Sequence, residues 1–385
     1  SLPYPSNIPL EHYLTMLDLT LFFHPTDRYD FEDYMLGSKI TFFPQNTSAF
    51  EPGSLCIFST GDDINGSFRE PFYSLSTPDN LNVHIYDLGH LPSGATKKDT
   101  EFAIQTVVAE LIKKSCIPVL TGTEMKALLS VATGFEITEQ LINICAVDEH
   151  INLVNPLEDM EHLDYLSSLL LRRPCFLFNH STLGVQPNRN DPAVIGLYEK
   201  LFFDVCRLGS INADYKITEP IVRNADIMAI NLSSLKASER QLCGENPNGL
   251  TTEQLCQIAK YSGLSDKLGF LGIFKGQNAP GNDPQIIAHV LWYFLDGVIN
   301  RMGDFPVGSK KDYLRFNVVL ENDQQSLVFY KSNKSDRWWM EVPYPPSENS
   351  KFERHHLVPC DQHDYENAMN NELPDLWWRT YQKLG

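Results

Sequence analysis

Between Ser54 and Arg301 the chain repeats one pattern, a short run of consecutive apolar residues followed by an amphipathic stretch. The runs are "SLCIFST", "NVHIYDLG", "CIPVLTG", "LINICAVD", "PCFLFNH", "ADIMAINLS" and "LGFLGIF". A strand with one wet face alternates apolar and polar residues, whereas a strand covered on both faces is apolar throughout. Between the runs, "KKDTEFAIQTVVAELIKKS" sets Phe102, Val107, Leu111 and neighbouring apolar residues on one helical face. "LDYLSSLLLRR", "AVIGLYEKLFFDVCRLG" and "TTEQLCQIAKYSG" read as further helices, the last with Gly263 as its C-terminal cap. "DPQIIAHVLWYFLDGVINR" opens with an Asp-Pro helix start. The pattern predicts an α/β fold, a mostly parallel sheet with helices on both faces. In such sheets ligands bind beyond the carboxyl ends of the strands.

The flanks differ in style. After Arg301, "YLRFNVVLE", "SLVFYKS" and "RWWMEVPYP" are β-forming segments between polar turns, predicting an antiparallel appendage. A polar loop, "PSENSKFERHH", and a terminal helix, "DLWWRTYQKL", close it. Before Ser54, "SNIPLEHYLTML" reads as a capped helix and the rest as irregular. Three regions follow: an N-terminal segment (1–53), the α/β domain (54–301) and a β-rich, aromatic appendage (302–385).

Composition narrows the class. In a 385-residue chain with 42% hydrophobic and 21% charged residues, a large core is expected and disorder is not. The net charge of −18 opposes non-specific binding to nucleic acid or anionic membranes. "IIAHVLWYFLDGVI" is too short to cross a bilayer. Eight cysteines without a CxxC pair read as reduced thiols, and a cytoplasmic location is expected. "GDDINGSF" fails as a calcium loop, because Gly61 stands where the first acid belongs. His355, His356, Cys360 and His363 fit no standard zinc spacing, and no nucleotide-binding glycine motif occurs.

Three strand ends carry polar residues: "LTGTEM" with Glu124, "VDEHIN" with Asp148, His150 and Asn152, and "INLSS" with Asn231 and Ser233. A two-residue spacing on an extended segment turns Asp148, His150 and Asn152 to one side. A hard divalent ion such as Mn²⁺ accepts carboxylates and imidazole, so Asp148, His150 and Glu124 are candidate ligands. The plainer reading, favoured on these residues alone, is that they satisfy backbone groups at strand ends.

The order of these strand ends resembles the ureohydrolase superfamily of arginases, agmatinases and formimidoylglutamases. "TGTEM", "DEHIN", "NLSSLKA" and "NGLTTEQ" stand where that family has GGxH-type, DAHxD, DxDxxDP and GGLxxxE-type motifs. "LVFYKSNKSDRWWMEVPYP", "RHHLVPC" and "WWRTYQKL" further resemble a bacterial branch labelled arginase-like or formimidoylglutamase-like. The resemblance implies a three-layer α/β/α fold with a dimanganese centre at the carboxyl edge of the sheet, and assembly into homo-oligomers. It places the first-motif histidine at Glu124, keeps Asp148 and His150, and turns the second acid of that motif into Asn152. The third-motif acids fall on Asn231, Ser233 and Lys236, and the glutamate that grips substrate falls on Gln254.

Charge makes this departure decisive. Glu124 and Asp148 are the only anions left where the family has four aspartates. Two unit charges about 4 Å apart repel by about 4 kcal/mol at an effective dielectric near 20, and doubly charged ions by more. The nucleophile of such enzymes is a hydroxide bridging both ions. The expectation is therefore no cofactor and no ordinary hydrolysis, but a derivative that binds a small ligand or a protein partner. The alternatives are a hydrolase of linear C–N bonds in formimino or guanidino compounds with one Mn²⁺ on Asp148, His150 and Glu124, or a purely structural subunit. Without metal, Lys236 or Lys126 is expected to pair with Asp148 or Glu124 as a buried ion pair. His180, in "FLFNHST", is a candidate proton shuttle or a hydrogen-bonded strand-end histidine, the latter favoured. Trp338, Trp339, Trp377 and Trp378 are read chiefly as sealing the appendage; the alternative is a partner surface, with Arg337 as an anchor beside them.

Overall fold

Strands recur through the chain, buried except at the two edges: β1 (Ile40–Phe42), β2 (Leu55–Thr60), β3 (Ile85–Leu91), β4 (Ile117–Thr121), β5 (Ile142–Val147), β6 (Leu177–Val185), β7 (Asp204–Arg207), β8 (Ile227–Asn231) and β9 (Phe270–Phe274). They form one sheet in the order β1-β3-β2-β4-β9-β8-β5-β6-β7, every neighbouring pair parallel. The computed structural model describes residues 18–26, 30–42, 50–61, 67–154, 164–241, 246–274, 282–307, 310–320, 326–345 and 349–385. The helix expected in "SNIPLEHYLTML" and most of "GDDINGSF" lie outside them.

The side-chain period of two divides each strand between two cores. On β5, Ile142, Ile144 and Ala146 enter one core while Cys145 and Val147 enter the other. On β8, Ile227 and Ala229 part from Met228 and Ile230 in the same way. Helices Lys97–Lys113, Leu128–Phe135 and Tyr165–Leu171 cover one face. Helices Thr252–Gly263 and Asp283–Ile299 cover the other. The three-layer α/β/α architecture is the one expected.

Two readings change. The helix read across "AVIGLYEKLFFDVCRLG" ends at Lys200, and Asp204–Arg207 pairs with β6 as the edge strand β7. Phe202 takes a left-handed conformation, φ 58°, and breaks the helix between them. A continuous apolar run does not by itself separate helix from strand. Gly263 is not a cap beyond its helix but the last residue in it. A Cβ there would stand 2.2 Å from the Phe294 carbonyl oxygen and 3.0 Å from the Gly297 Cα, so its bareness lets two helices touch. The N-terminal segment also supplies β1, paired with β3.

Beyond Arg301, β10 (Tyr313–Val319), β11 (Ser326–Ser332), β12 (Trp338–Glu341) and β13 (Leu357–Cys360) form the antiparallel appendage in that order. β13 and the helix Gln362–Met369 were not read from the sequence; the former lies beyond the polar loop "PSENSKFERHH". Trp338 and Trp339 point to opposite faces of β12, as adjacent strand residues must. Trp338 stacks on Tyr365 at 5.0 Å, and Trp377 donates its indole N–H to the Glu341 carbonyl. Trp339 lies under the Arg223 guanidinium of the α/β domain at 4.5 Å.

Candidate functional site

The middle strands β4, β9, β8 and β5 are neighbours, so their carboxyl ends share one rim. Asp148 leaves the end of β5 there, 1% exposed, its backbone N–H bonded to the Leu183 carbonyl. Its Oδ2 accepts from Asn231 Nδ2 at 2.9 Å and Asn152 Nδ2 at 3.0 Å, and its Oδ1 from the His150 backbone N–H at 3.0 Å. Burial pushes its carboxyl above the usual carboxylate range, against the opposing pull of Asn231, the His150 N–H and Asn152.

Asn231 is held in one orientation. Its Oδ1 accepts the Ser233 backbone N–H at 3.1 Å, which turns the amide NH₂ towards Asp148. A flipped amide would set NH₂ against N–H and oxygen against carboxylate. The group that offers an oxygen to the backbone therefore offers Asp148 a donor.

Beside this network lies Glu149, which the sequence reading passed over. Its side chain is 5% exposed and meets Arg189 at 3.1 Å, His150 Nε2 at 3.5 Å, Asn246 Nδ2 at 2.6 Å and Gln186 Nε2 at 3.4 Å. Burial opposes its ionisation, yet His150, Asn246 and Arg189 together hold its carboxyl below the usual range. Glu149 in turn raises the half-exposed His150. A protonated ring donates Nε2–H to Glu149 rather than accepting from Arg189. One carboxylate thus ties the segment after β5 to the Pro187–Arg189 turn and to the segment from Asn246. Gly249 permits the closeness of that last segment: a Cβ there would be 2.7 Å from the Ser234 carbonyl and the Lys236 nitrogen. The signal was present, an acid between Asp148 and His150, but its partners are up to 97 residues away.

The remaining sequence candidates do not converge on Asp148. Glu124 is about half exposed and ion-paired with Lys126 at the surface, not in a buried pair. Asp148 is held by amides and a backbone N–H, and among the described residues no lysine joins that network. Lys236 sits at the N-cap of the short helix Ala237–Arg240, its backbone N–H bonded to Leu250. Ser233 contributes its backbone N–H to Asn231. Gln254 closes a capping box with Thr251 and donates to Asn212. His180 is in the middle of β6, not at its end, and is 1% exposed between the Tyr165 and Tyr198 hydroxyls at 3.0 and 2.6 Å. Burial lowers it to about 3, so the ring is a neutral core histidine without a route to solvent. Trp338, Trp339 and Trp377 are buried and Arg337 is bound to Glu219 and Asp304, which removes them as a partner surface; Trp378 alone of that set is exposed.

The donor set does not fit a dimanganese centre. Among the described residues no group of three or more His, Cys, Asp or Glu side chains is placed to hold an ion. Both oxygens of Asp148 already face hydrogen-bond donors, and His150 turns to Glu149 instead.

Comparison with solved structures places the architecture. Formimidoylglutamase from Bacillus subtilis superposes with a TM-score of 0.60 at 14% identity, over 71% of this chain and 95% of its own. Trypanosoma cruzi formiminoglutamase with Mn²⁺ gives 0.60 at 13% identity, over 70% and 100%. An arginase superfamily protein from Trypanosoma cruzi gives 0.57 at 13%, over 67% and 96%. No family profile and no curated protein sequence matches the chain. The fold is that of the arginase-like ureohydrolases. The motif resemblance in the sequence leads to the same architecture.

Proposed function

We propose that this ureohydrolase-fold chain is a non-hydrolytic derivative, which uses the carboxyl rim of its sheet to bind a small ligand or a protein partner. One observation carries the reading: Asn231 and Asn152 donate to Asp148 where the related enzymes are expected to present further acids to metal. A carboxylate stabilised by amide donors needs no cation, and an amide nitrogen is no metal ligand at neutral pH. The rim still presents polar groups in a fixed arrangement, since Glu149 holds the accessible His150 and Arg189 side by side. Assembly into a homo-oligomer belongs to the proposal and is read by sedimentation.

The test is turnover. Full-length protein incubated with Mn²⁺ and either formimidoylglutamate or arginine, the substrates named by the relatives, is expected to cleave neither. Cleavage that disappears in Asp148→Ala would show the rim to be a working hydrolytic centre and would reject the proposal.

A further inference from the structure

At the opposite rim, the amino ends of β4, β5, β8 and β9 meet the appendage around a cavity of about 260 Å³. Its walls are of two kinds. Ile112, Phe135 and Ile117 are apolar, while Lys267, Arg301 and Arg354 are cationic. Asp226 and Asp266 also line it, so three cations face two acids in a chain whose net charge is −18.

Both acids are already engaged. Asp226 accepts from the Asn143 N–H at 2.8 Å and Arg354 Nη2 at 2.8 Å, with Lys267 Nζ at 3.6 Å. Asp266 accepts from the Gly303 and Asp304 N–H groups. The cations keep donors in reserve. Among the described residues, Arg301 uses Nε and Nη2 on the Gly263 and Leu268 carbonyls, leaving Nη1. Among the described residues, Nε and Nη1 of Arg354 have no hydrogen-bond partner, since only its Nη2 bonds to Asp226. The Lys267 side chain is 1% exposed, its ammonium donating to Asn224 Oδ1 at 3.1 Å and facing the one acid that it shares with Arg354, which leaves, among the described residues, one of its three N–H donors in reserve. Burial brings Lys267 down to about 8 and Arg301 down to about 10, in each case against an aspartate. Desolvated cations with open donors are the condition that a bound anion relieves.

We propose that this cavity binds a small organic carboxylate, its anionic head on Arg354 beside Lys267 and Arg301 and its short apolar body against Ile112 and Phe135. A planar carboxylate matches the fork that the second hydrogen of Arg354 Nη2 makes with Nε or with Nη1, the first being spent on Asp226. The surplus of one positive charge matches a monoanion better than a phosphate dianion, and half the wall would give a bare inorganic ion nothing to touch. The site shares no residue with the rim around Asp148, so it stands or falls independently of the function proposed there.

Equilibrium dialysis of the full-length protein against labelled butyrate tests it, with inorganic phosphate as competitor. The expected result is one saturable equivalent, unaffected by equimolar phosphate and weakened about tenfold or more in Arg354→Gln, the loss of a charged hydrogen bond. Gln140→Trp, at the exposed mouth, is expected to abolish binding by filling the entrance; it decides the matter if circular dichroism shows Arg354→Gln unfolded. Absence of saturable butyrate binding, binding unchanged in the folded variants, or displacement by equimolar phosphate would each overturn the proposal.

Discussion

At Asn231 a single atom decides the chemistry of the rim. An aspartate there would keep the bond to the Ser233 N–H and set its second oxygen 2.9 Å from Asp148 Oδ2, where the amide now donates. Asn231→Asp is therefore expected to destabilise the fold at neutral pH by roughly 2–4 kcal/mol, by losing a charged hydrogen bond and adding repulsion. Mild acid, which lets the two facing carboxyls share a proton, should restore much of it, and thermal unfolding at pH 7 and pH 5 reads the effect. His180 governs a different titration. Its folded pKa of about 3 lies below the ordinary value near 6.5. The unfolded chain thus takes the proton first, and stability due to this residue is complete above pH about 6.5 and lost as pH falls towards 3. Denaturant unfolding at pH 7, 5 and 4 should show His180→Gln losing less stability with acid than the parent, by up to about 1.4 kcal/mol per pH unit. The positions of Asp148, Asn152, Asn231 and Ser233 were legible because each follows an apolar run that ends at the sheet rim. Their partners were not, for direction is set by local hydrogen bonds: the segment leaves extended geometry after Val147, sending His150 to Glu149 while Asn152 folds back to Asp148.

Elements were legible where one period dominated. Continuous apolar runs identified β2 to β6, β8 and β9, and the Asp-Pro start identified the helix Asp283–Ile299. β7 and β13 were hidden, one inside an apolar helical pattern and one after a polar loop, because pairing to a neighbour completes a short strand that its own residues only permit. The Gly263 reading failed for a related reason: the need for a bare Cα came from another helix, not from the local chain end. Gly263→Ala is accordingly expected to cost about 1–3 kcal/mol by forcing apart the helices Thr252–Gly263 and Asp283–Ile299. Urea unfolding measures the loss, and a variant as stable as the parent would show that the contact relaxes freely.

Across the whole molecule, the appendage is fastened to the α/β domain by Arg223. Its guanidinium donates to the Trp338 and Cys360 carbonyls at 3.1 Å each, pairs with Glu219 at 2.9 Å and covers the Trp339 ring. Arg223→Ala leaves two buried carbonyls and an acid without this partner, at a cost of about 3–5 kcal/mol. Limited proteolysis should then cut within 302–385 before the α/β domain is attacked. The aromatic-rich composition of this region foretold sealing, but only the tertiary structure shows an arginine from a distant helix as one of the fasteners, beside Arg354 on Asp226 and Arg379 on Asp204. Among the described residues no helix is long and apolar enough to cross a membrane. At the other rim, the proposed function rests on amide donors facing Asp148 where metal would otherwise bind. Its most direct test is the Mn²⁺ content of protein purified in excess Mn²⁺ and then desalted, measured by inductively coupled plasma mass spectrometry. The account predicts far less than one ion per chain, with uptake appearing only when Glu124→His, Asn152→Asp, Asn231→Asp and Ser233→Asp are combined. Two ions retained by each unaltered chain would contradict it.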